Sequence, residues 1–251
     1  MTRATTFVAV DWSGAKGDGA HPGIWITARG GDSVVMDRGG WSRRDAVDFV
    51  RAQPGPVVAG FDFSFGVPAW FADELGCAAI DDVWARAASD GERWLAPTAP
   101  FWRTRCTVPV EQRFRACEIA LQQIGYAPKS VFQLVGNGQV GAGSVRGMPH
   151  LARLRDAGFA IWPFDDAGDR VALEIYPTLL RRQFPGHDET HAPSPHARDA
   201  RASARLMQAR ADELTSLAAA RDPVTRLEGD VWVPTLITRP KPATRQGFGS
   251  A

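Results

Sequence analysis

Apolar residues run almost unbroken over 7–12 (Phe7-Val8-Ala9-Val10-Asp11-Trp12), a pattern that predicts a strand buried on both faces. A second strand is expected over 23–28 (Gly-Ile-Trp-Ile-Thr-Ala), then a turn at Arg29-Gly30-Gly31-Asp32 and a third strand over 33–37. Ser42 reads as a helix N-cap with Asp45 in the first turn, and Ala46, Val47, Phe49 and Val50 form the apolar stripe behind it. Pro54-Gly55-Pro56 stops that helix, and 57–61 is a second doubly buried strand. The order strand, strand, strand, helix, strand lets the first three pair antiparallel and brings the fourth back beside the first through a crossover.

From about 67 to 170 the pattern is less regular. Helices are expected over 70–75, 81–88, 111–123 and 149–157, with strand character over 130–135 and 159–164 and a Gly-rich connection over 136–147. A strand over 171–176 carries Glu174 and ends at Pro177. Ser194 and Pro195 open a long Ala-rich helix expected to reach about Ala220, with Ser as cap and Pro at the first helical position. Residues 238–251 read as a flexible basic tail. The expected architecture is α/β, a mixed sheet of three antiparallel strands extended through helical crossovers. It forms one domain over 1–237 with an α-rich insertion at about 67–170.

The 251 residues are enough for one large core, and 44% of them are hydrophobic. Lys and Arg number 29 against 28 Asp and Glu, so no global field attracts nucleic acid and any basic surface is local. Cys77, Cys106 and Cys117 are far apart and odd in number, which fits neither a disulfide framework nor a paired zinc knuckle. With no apolar run near the ~20 residues of a membrane span and no leader-like start, the expectation is a reduced, cytoplasmic protein without a membrane partner.

The informative chemistry lies at the strand ends. Asp11 and Asp62 each close a buried strand beside small residues, although Asp is depleted in strands and rarely buried unpaired. Glu174 lies within another strand, and Asp199 stands in the first turn of the last helix, four residues before Ser203 and seven before Leu206. Four such acids could share one or two Mg²⁺ or Mn²⁺ ions and act on a phosphodiester. The plainer account, turn caps and arginine pairs, stays open.

On these residues the chain resembles the domain-of-unknown-function family numbered 429, predicted nucleases of the RNase H-like fold. The pieces that carry the likeness are Val10-Asp11-Trp12-Ser13-Gly14-Ala15, Gly60-Phe61-Asp62-Phe63-Ser64-Phe65-Gly66-Val67-Pro68, Pro128-Lys129-Ser130-Val131-Phe132-Gln133-Leu134, Gly141-Ala142-Gly143-Ser144-Val145-Arg146-Gly147-Met148-Pro149 and Leu173-Glu174-Ile175-Tyr176-Pro177. The resemblance implies a metal-dependent phosphodiester hydrolase acting on nucleic acid, with Asp11, Asp62, Glu174 and Asp199 as catalytic ligands. The chain departs from the family at His196-Ala197-Arg198-Asp199-Ala200, where the family tends to have Asp-Ala-x-Asp-Ala. His196 replaces the first acid, and imidazole suits Mg²⁺ poorly, which implies a single metal, Mn²⁺, or an inactive site.

Substrate contacts are expected from Ser13, Lys16, Arg103, Arg105, Lys129, Ser130, Gln133, Ser144 and Arg146. Two further readings accompany the nuclease: a nucleotide or phosphate-ligand protein of the actin-like ATPase or kinase type, which Lys16 also fits, and a non-catalytic member of the fold. Gly136-Asn137-Gly138-Gln139-Val140-Gly141 matches the dinucleotide fingerprint, but the helix that should open within the glycines is expected only at Pro149. His187, His191 and His196 with Asp188 and Glu189 suggest a metal at first sight, but the order His-Asp-Glu-Thr-His lacks the zincin arrangement and reads as a solvated loop.

Overall fold

The computed structural model describes residues 4–96, 99–136, 140–183 and 191–235. Three antiparallel strands come first: β1 (Thr6–Asp11), β2 (His21–Gly30) and β3 (Ser33–Trp41). Helix α1 (Arg43–Ala52) follows, and Ser42 caps it by accepting the Asp45 N–H at 3.0 Å. Strand β4 (Val57–Phe61) then lies parallel to β1. The next block holds α2 (Ala69–Glu74), α3 (Ile80–Trp94), α4 (Ala116–Gln123), α5 (Val140–Asp156) and a two-residue edge strand, β5 (Ala160–Ile161). Strand β6 (Arg170–Glu174), α6 (Pro177–Gln183), α7 (Pro195–Ala209), α8 (Ala211–Thr215) and α9 (Pro223–Glu228) complete the chain. The six strands run in the order β3-β2-β1-β4-β6-β5, so the fold is α/β on a mixed sheet.

Strand alternation divides the core. Val8, Val10, Ala59 and Phe61 face one side, where α1, α3 and α5 supply Val47, Val83 and Met148. Phe7, Ala9, Val58 and Leu173 face the other, against Leu121 of α4, Leu180 of α6 and Met207 of α7. Both faces of β1 and β4 are covered, as their unbroken apolar runs imply.

Several boundaries differ from the sequence expectation. The glycines of 141–147 lie in α5, not in a loop, because they are packing surfaces. A Cβ on Gly141 would stand 2.5 Å from the Val131 carbonyl oxygen, and one on Gly147 would stand 2.7 Å from the Phe63 ring. Close approach to neighbouring groups offsets the usual cost of Gly in a helix. Residues 130–135 join no sheet; only an isolated bridge links Gln133 to Trp102. The long helix expected to reach Ala220 breaks at Arg210, and the change of direction lets Leu214 of α8 be fully buried. The strand expected over 159–164 shrinks to β5, and the helix expected over 111–123 splits into a 3-10 turn (Val110–Gln112) and α4.

The carboxylate of Glu228, at the end of α9, is fully buried and serves two helix starts. It accepts the Ala69 N–H of α2 at 2.7 Å and the Ala116 N–H of α4 at 2.5 Å. Three residues on, Val231 bridges to Glu174, and the Trp232 N–H reaches the Glu174 carbonyl at 2.9 Å.

Candidate functional site

Register places the acids. Val10 pairs with Phe61 across β1 and β4, and the Asp62 N–H donates to the Val10 carbonyl at 3.0 Å. Asp11 and Asp62 are therefore the next residues on adjacent parallel strands, at the carboxyl ends where open α/β sheets hold ligands. By alternation both stand on the α7 side of the sheet. Glu174 pairs with Phe61, one position out of step with Asp62, and so belongs to the opposite face. A list of strand-end acids cannot reveal that offset, although the Glu174 carboxylate still lines one cleft with Asp62 and Asp199.

On the α7 side, Asp11 is 5% exposed, and His196 Nδ1 lies 2.7 Å from its Oδ1. His196 itself is about half-exposed. Asp199, one turn further along α7, stands 2.7 Å from Arg181 Nε of α6 and 3.8 Å from Arg198 Nε. These ion pairs are misaligned for hydrogen bonding, since Asp199 Oδ1 and both Nε atoms remain unbonded. Among the described residues, neither the Asp62 carboxylate nor Asp11 Oδ2 has a hydrogen-bond or ion-pair partner.

The charges are unbalanced. Asp62 is pushed well above the usual carboxylate range by burial and then by Asp11, Asp199 and Glu174, with nothing opposing them. Burial also raises Asp11 against the bond and charge of His196, and raises Asp199 against Arg181 and Arg198. The bond to Asp11 raises His196 in turn.

Glu174 is held as a brace. Arg115, 1% exposed, donates NH2 to its Oε1 at 2.5 Å and NH1 to its Oε2 at 2.8 Å, while the Phe65 N–H adds 2.9 Å to Oε2. Arg115 also reaches Glu118 Oε1 at 3.0 Å, Ser64 Oγ at 3.2 Å and the Glu228 carbonyl at 3.2 Å. Its spacing from Glu118 is legible in the sequence as an intrahelical pair, but its reach to Glu174, 59 positions away, is not.

The expected substrate residues scatter. Lys129 is exposed and lines a cleft of about 300 Å³ together with Asp62, Glu174 and Asp199. Ser144 and Ser130 are buried and internally bonded, Ser144 Oγ to the Ser64 N–H at 2.9 Å and Ser130 Oγ to the Arg113 carbonyl at 2.6 Å. Gln133 donates to the Val135 carbonyl at 2.8 Å. Arg146 pairs with Glu92 at 2.7 Å and donates to the Gly14 carbonyl. Lys16 lines a different cleft, beside Arg43 and Glu92, so it is not brought to the acids. Ser13 Oγ accepts the Ala15 N–H at 3.2 Å. Arg103 reaches the Leu95 carbonyl at 3.3 Å, and Arg105 is exposed on the same segment.

The dinucleotide reading fails on its strand. Residues 140–147 are helical in α5, but the described run before the glycines, 130–136, is not a strand of the sheet. His187, Asp188, Glu189 and the tail at 238–251 lie outside the described residues.

Carboxylate oxygens are the donors Mg²⁺ and Mn²⁺ prefer, and an unpartnered Asp62 beside like charges suits a cation. Among the described residues, though, no three His, Cys, Asp or Glu side chains stand in a group ready to hold an ion. The donor types and their charge suit such an ion, but their arrangement is not that of a preformed site, and Asp11 and Asp199 are engaged by His196 and Arg181. Among the described residues no helix is long and apolar enough to cross a membrane. Comparison with family models, with curated proteins and with solved structures finds no match.

Proposed function

We propose that the chain is a divalent-metal-dependent phosphodiester hydrolase acting on nucleic acid, built on an RNase H-like fold and related to the family it resembles. The observation that carries the reading is the Asp62 carboxylate, without a partner among the described residues and beside the charges of Asp11, Asp199 and Glu174. Such a cluster is relieved either by protons or by a cation.

Asp62 and Asp11, the latter through its Oδ2, would hold the ion, with Asp199, paired to Arg181, adding its charge beside them. The bound metal would neutralise phosphate charge and activate water. The chain's own contribution is placement. The β1–β4 register sets Asp11 beside Asp62, and His196 fixes the orientation of the Asp11 carboxylate. Arg115 holds Glu174, and Glu174 in turn holds the Phe65 N–H on the segment that follows Asp62. Glu174 is thus a brace in this reading rather than a ligand, since both its oxygens are occupied.

The test is cleavage of single- and double-stranded DNA and RNA with Mg²⁺ or Mn²⁺, alongside thermal unfolding with each metal. Cleavage that Asp11→Asn abolishes, and a metal-induced rise in midpoint that Asp62→Asn removes, are the expected results. Intact nucleic acid of every form with both metals overturns the reading.

A further inference from the structure

We propose that the cleft beside Asp62 seats a single nucleotide unit, so that the substrate is a single strand or a splayed strand end and not an intact duplex. The inference rests on the hydrolase reading and narrows its substrate class. The cleft measures about 300 Å³, at the small end of ligand-binding pockets. That is room for one nucleoside and a phosphate, whereas a duplex keeps its bases stacked and can enter such a space only by extruding one.

The lining has the chemistry a nucleotide needs. Tyr176 is part-exposed and set edge-on to Tyr126, with ring centroids 6.4 Å apart and planes at 70°, which holds its ring in place beside the cleft. Ile175 and Pro128 add apolar wall, and Thr178 adds a hydroxyl. Lys129 is exposed at the rim and has no ion-pair partner among the described residues, so its charge is available to a phosphate. Asp62 and Asp199 line the same cleft. A base stacked on Tyr176, with one phosphate toward Lys129, leaves the neighbouring phosphate for the acids. Pro128 and Lys129 belong to the insertion between β4 and β6, which gives that insertion a role: it forms a substrate wall that the sheet alone lacks.

The probes are adenosine 5′-monophosphate, a short single-stranded oligonucleotide and a covalently closed duplex circle. Binding is measured calorimetrically with Ca²⁺, and cleavage with Mn²⁺, on the full chain. The single strand is expected to bind and be cut at least about tenfold better than the closed circle. Tyr176→Ala and Lys129→Ala should each weaken single-strand binding by roughly fivefold or more, the low end of what base stacking contributes. Lys129 is exposed, so its variant keeps the fold if Tyr176→Ala does not. Mononucleotide binding as tight as that of the strand still supports the pocket and identifies a free nucleotide as its source. Equal binding and cleavage of the closed circle overturns the pocket and leaves the hydrolase reading standing. Binding by the single strand without cleavage of any form overturns the hydrolase and keeps the pocket. No binding of mononucleotide or strand overturns the inference.

Discussion

Replacing Arg115 with Met leaves buried carboxylates without their cation. Arg115 is 1% exposed and donates to both oxygens of Glu174 and to Glu118 Oε1. Removing one partner of a buried ion pair costs about 3–5 kcal/mol, because the remaining charge stays desolvated. For a domain of this size each kcal/mol lowers the unfolding midpoint by roughly 2–4 °C, so Arg115→Met should lower Tm by about 6–20 °C. Two features limit the loss. The Phe65 N–H still serves Glu174, and the Arg115 backbone N–H still serves Glu118 at 3.0 Å. Burial, against the pull of Arg115, has already raised the Glu118 carboxyl to about 7, and without the guanidinium it protonates more readily still. The deficit should therefore be smaller at pH 6 than at pH 8. Thermal unfolding followed by far-UV circular dichroism at both pH values measures it. Adding Glu118→Gln and Glu174→Gln to Arg115→Met removes the stranded charges and should recover much of the loss, which keeps the test usable if the single variant folds poorly. A single variant within about 2 °C of wild type, or a triple variant less stable than the single, would refute the reasoning.

Further outcomes follow from other contacts. Glu118 titrates near 7 in the fold against 4.5 ordinarily, so the native state holds its proton longer and stability is lost as pH rises through that window, on the order of 3 kcal/mol. His150 is lowered to about 4 from 6.5 by burial and by Arg153 and Arg43, so its contribution is lost as pH falls through that window, also on the order of 3 kcal/mol. Relative to wild type, Glu118→Gln should tilt the stability–pH curve upward with pH and His150→Gln should tilt it downward; urea midpoints at pH 5, 6 and 7 check both, and slopes of the same sign exclude this account. A Cβ at Gly14 would stand 2.8 Å from Ala142 Cβ and press on the Gly143 backbone. Gly14→Ala should cost about 1–3 kcal/mol as an overpacked contact, and an unchanged midpoint contradicts that packing. Asp62→Asn removes a carboxylate raised by burial and then by three like charges, so without added metal it should raise the midpoint at pH 8. A fall there would mean the carboxylate is satisfied in a way its surroundings do not provide.

Much of the sheet was legible because its strands announce themselves. The apolar runs ending at Asp11 and Asp62 predict doubly buried strands, and Ser42 and Ser194 mark helix starts that their capping bonds bear out. Helix α5 was legible only from Pro149 onward, since the glycines of its first half, placed for close contact with Phe63 and the Val131 carbonyl, look locally like a flexible loop. The neighbourhood of the acids was readable only in part. That Asp11 and Asp62 adjoin follows from parallel pairing of their strands, but that Glu174 falls out of step depends on a register which only the packed sheet decides. Arg115 was missed as the partner of Glu174 because nothing local connects positions 59 residues apart.

The double service of Glu228 bears on how the chain is made. Its carboxylate closes the starts of α2 and α4, both synthesised long before it, and Trp232 just beyond it secures the β6 backbone at Glu174. On the ribosome, the sheet and the inserted helices can assemble only provisionally, with two helix starts open to water and the Glu174 end of β6, beyond its pairing with β5, unclaimed. The last turn of α9 acts as a clasp that shuts late, so a chain released before it emerges would hold Asp11, Asp62 and Glu174 on a scaffold still free to open.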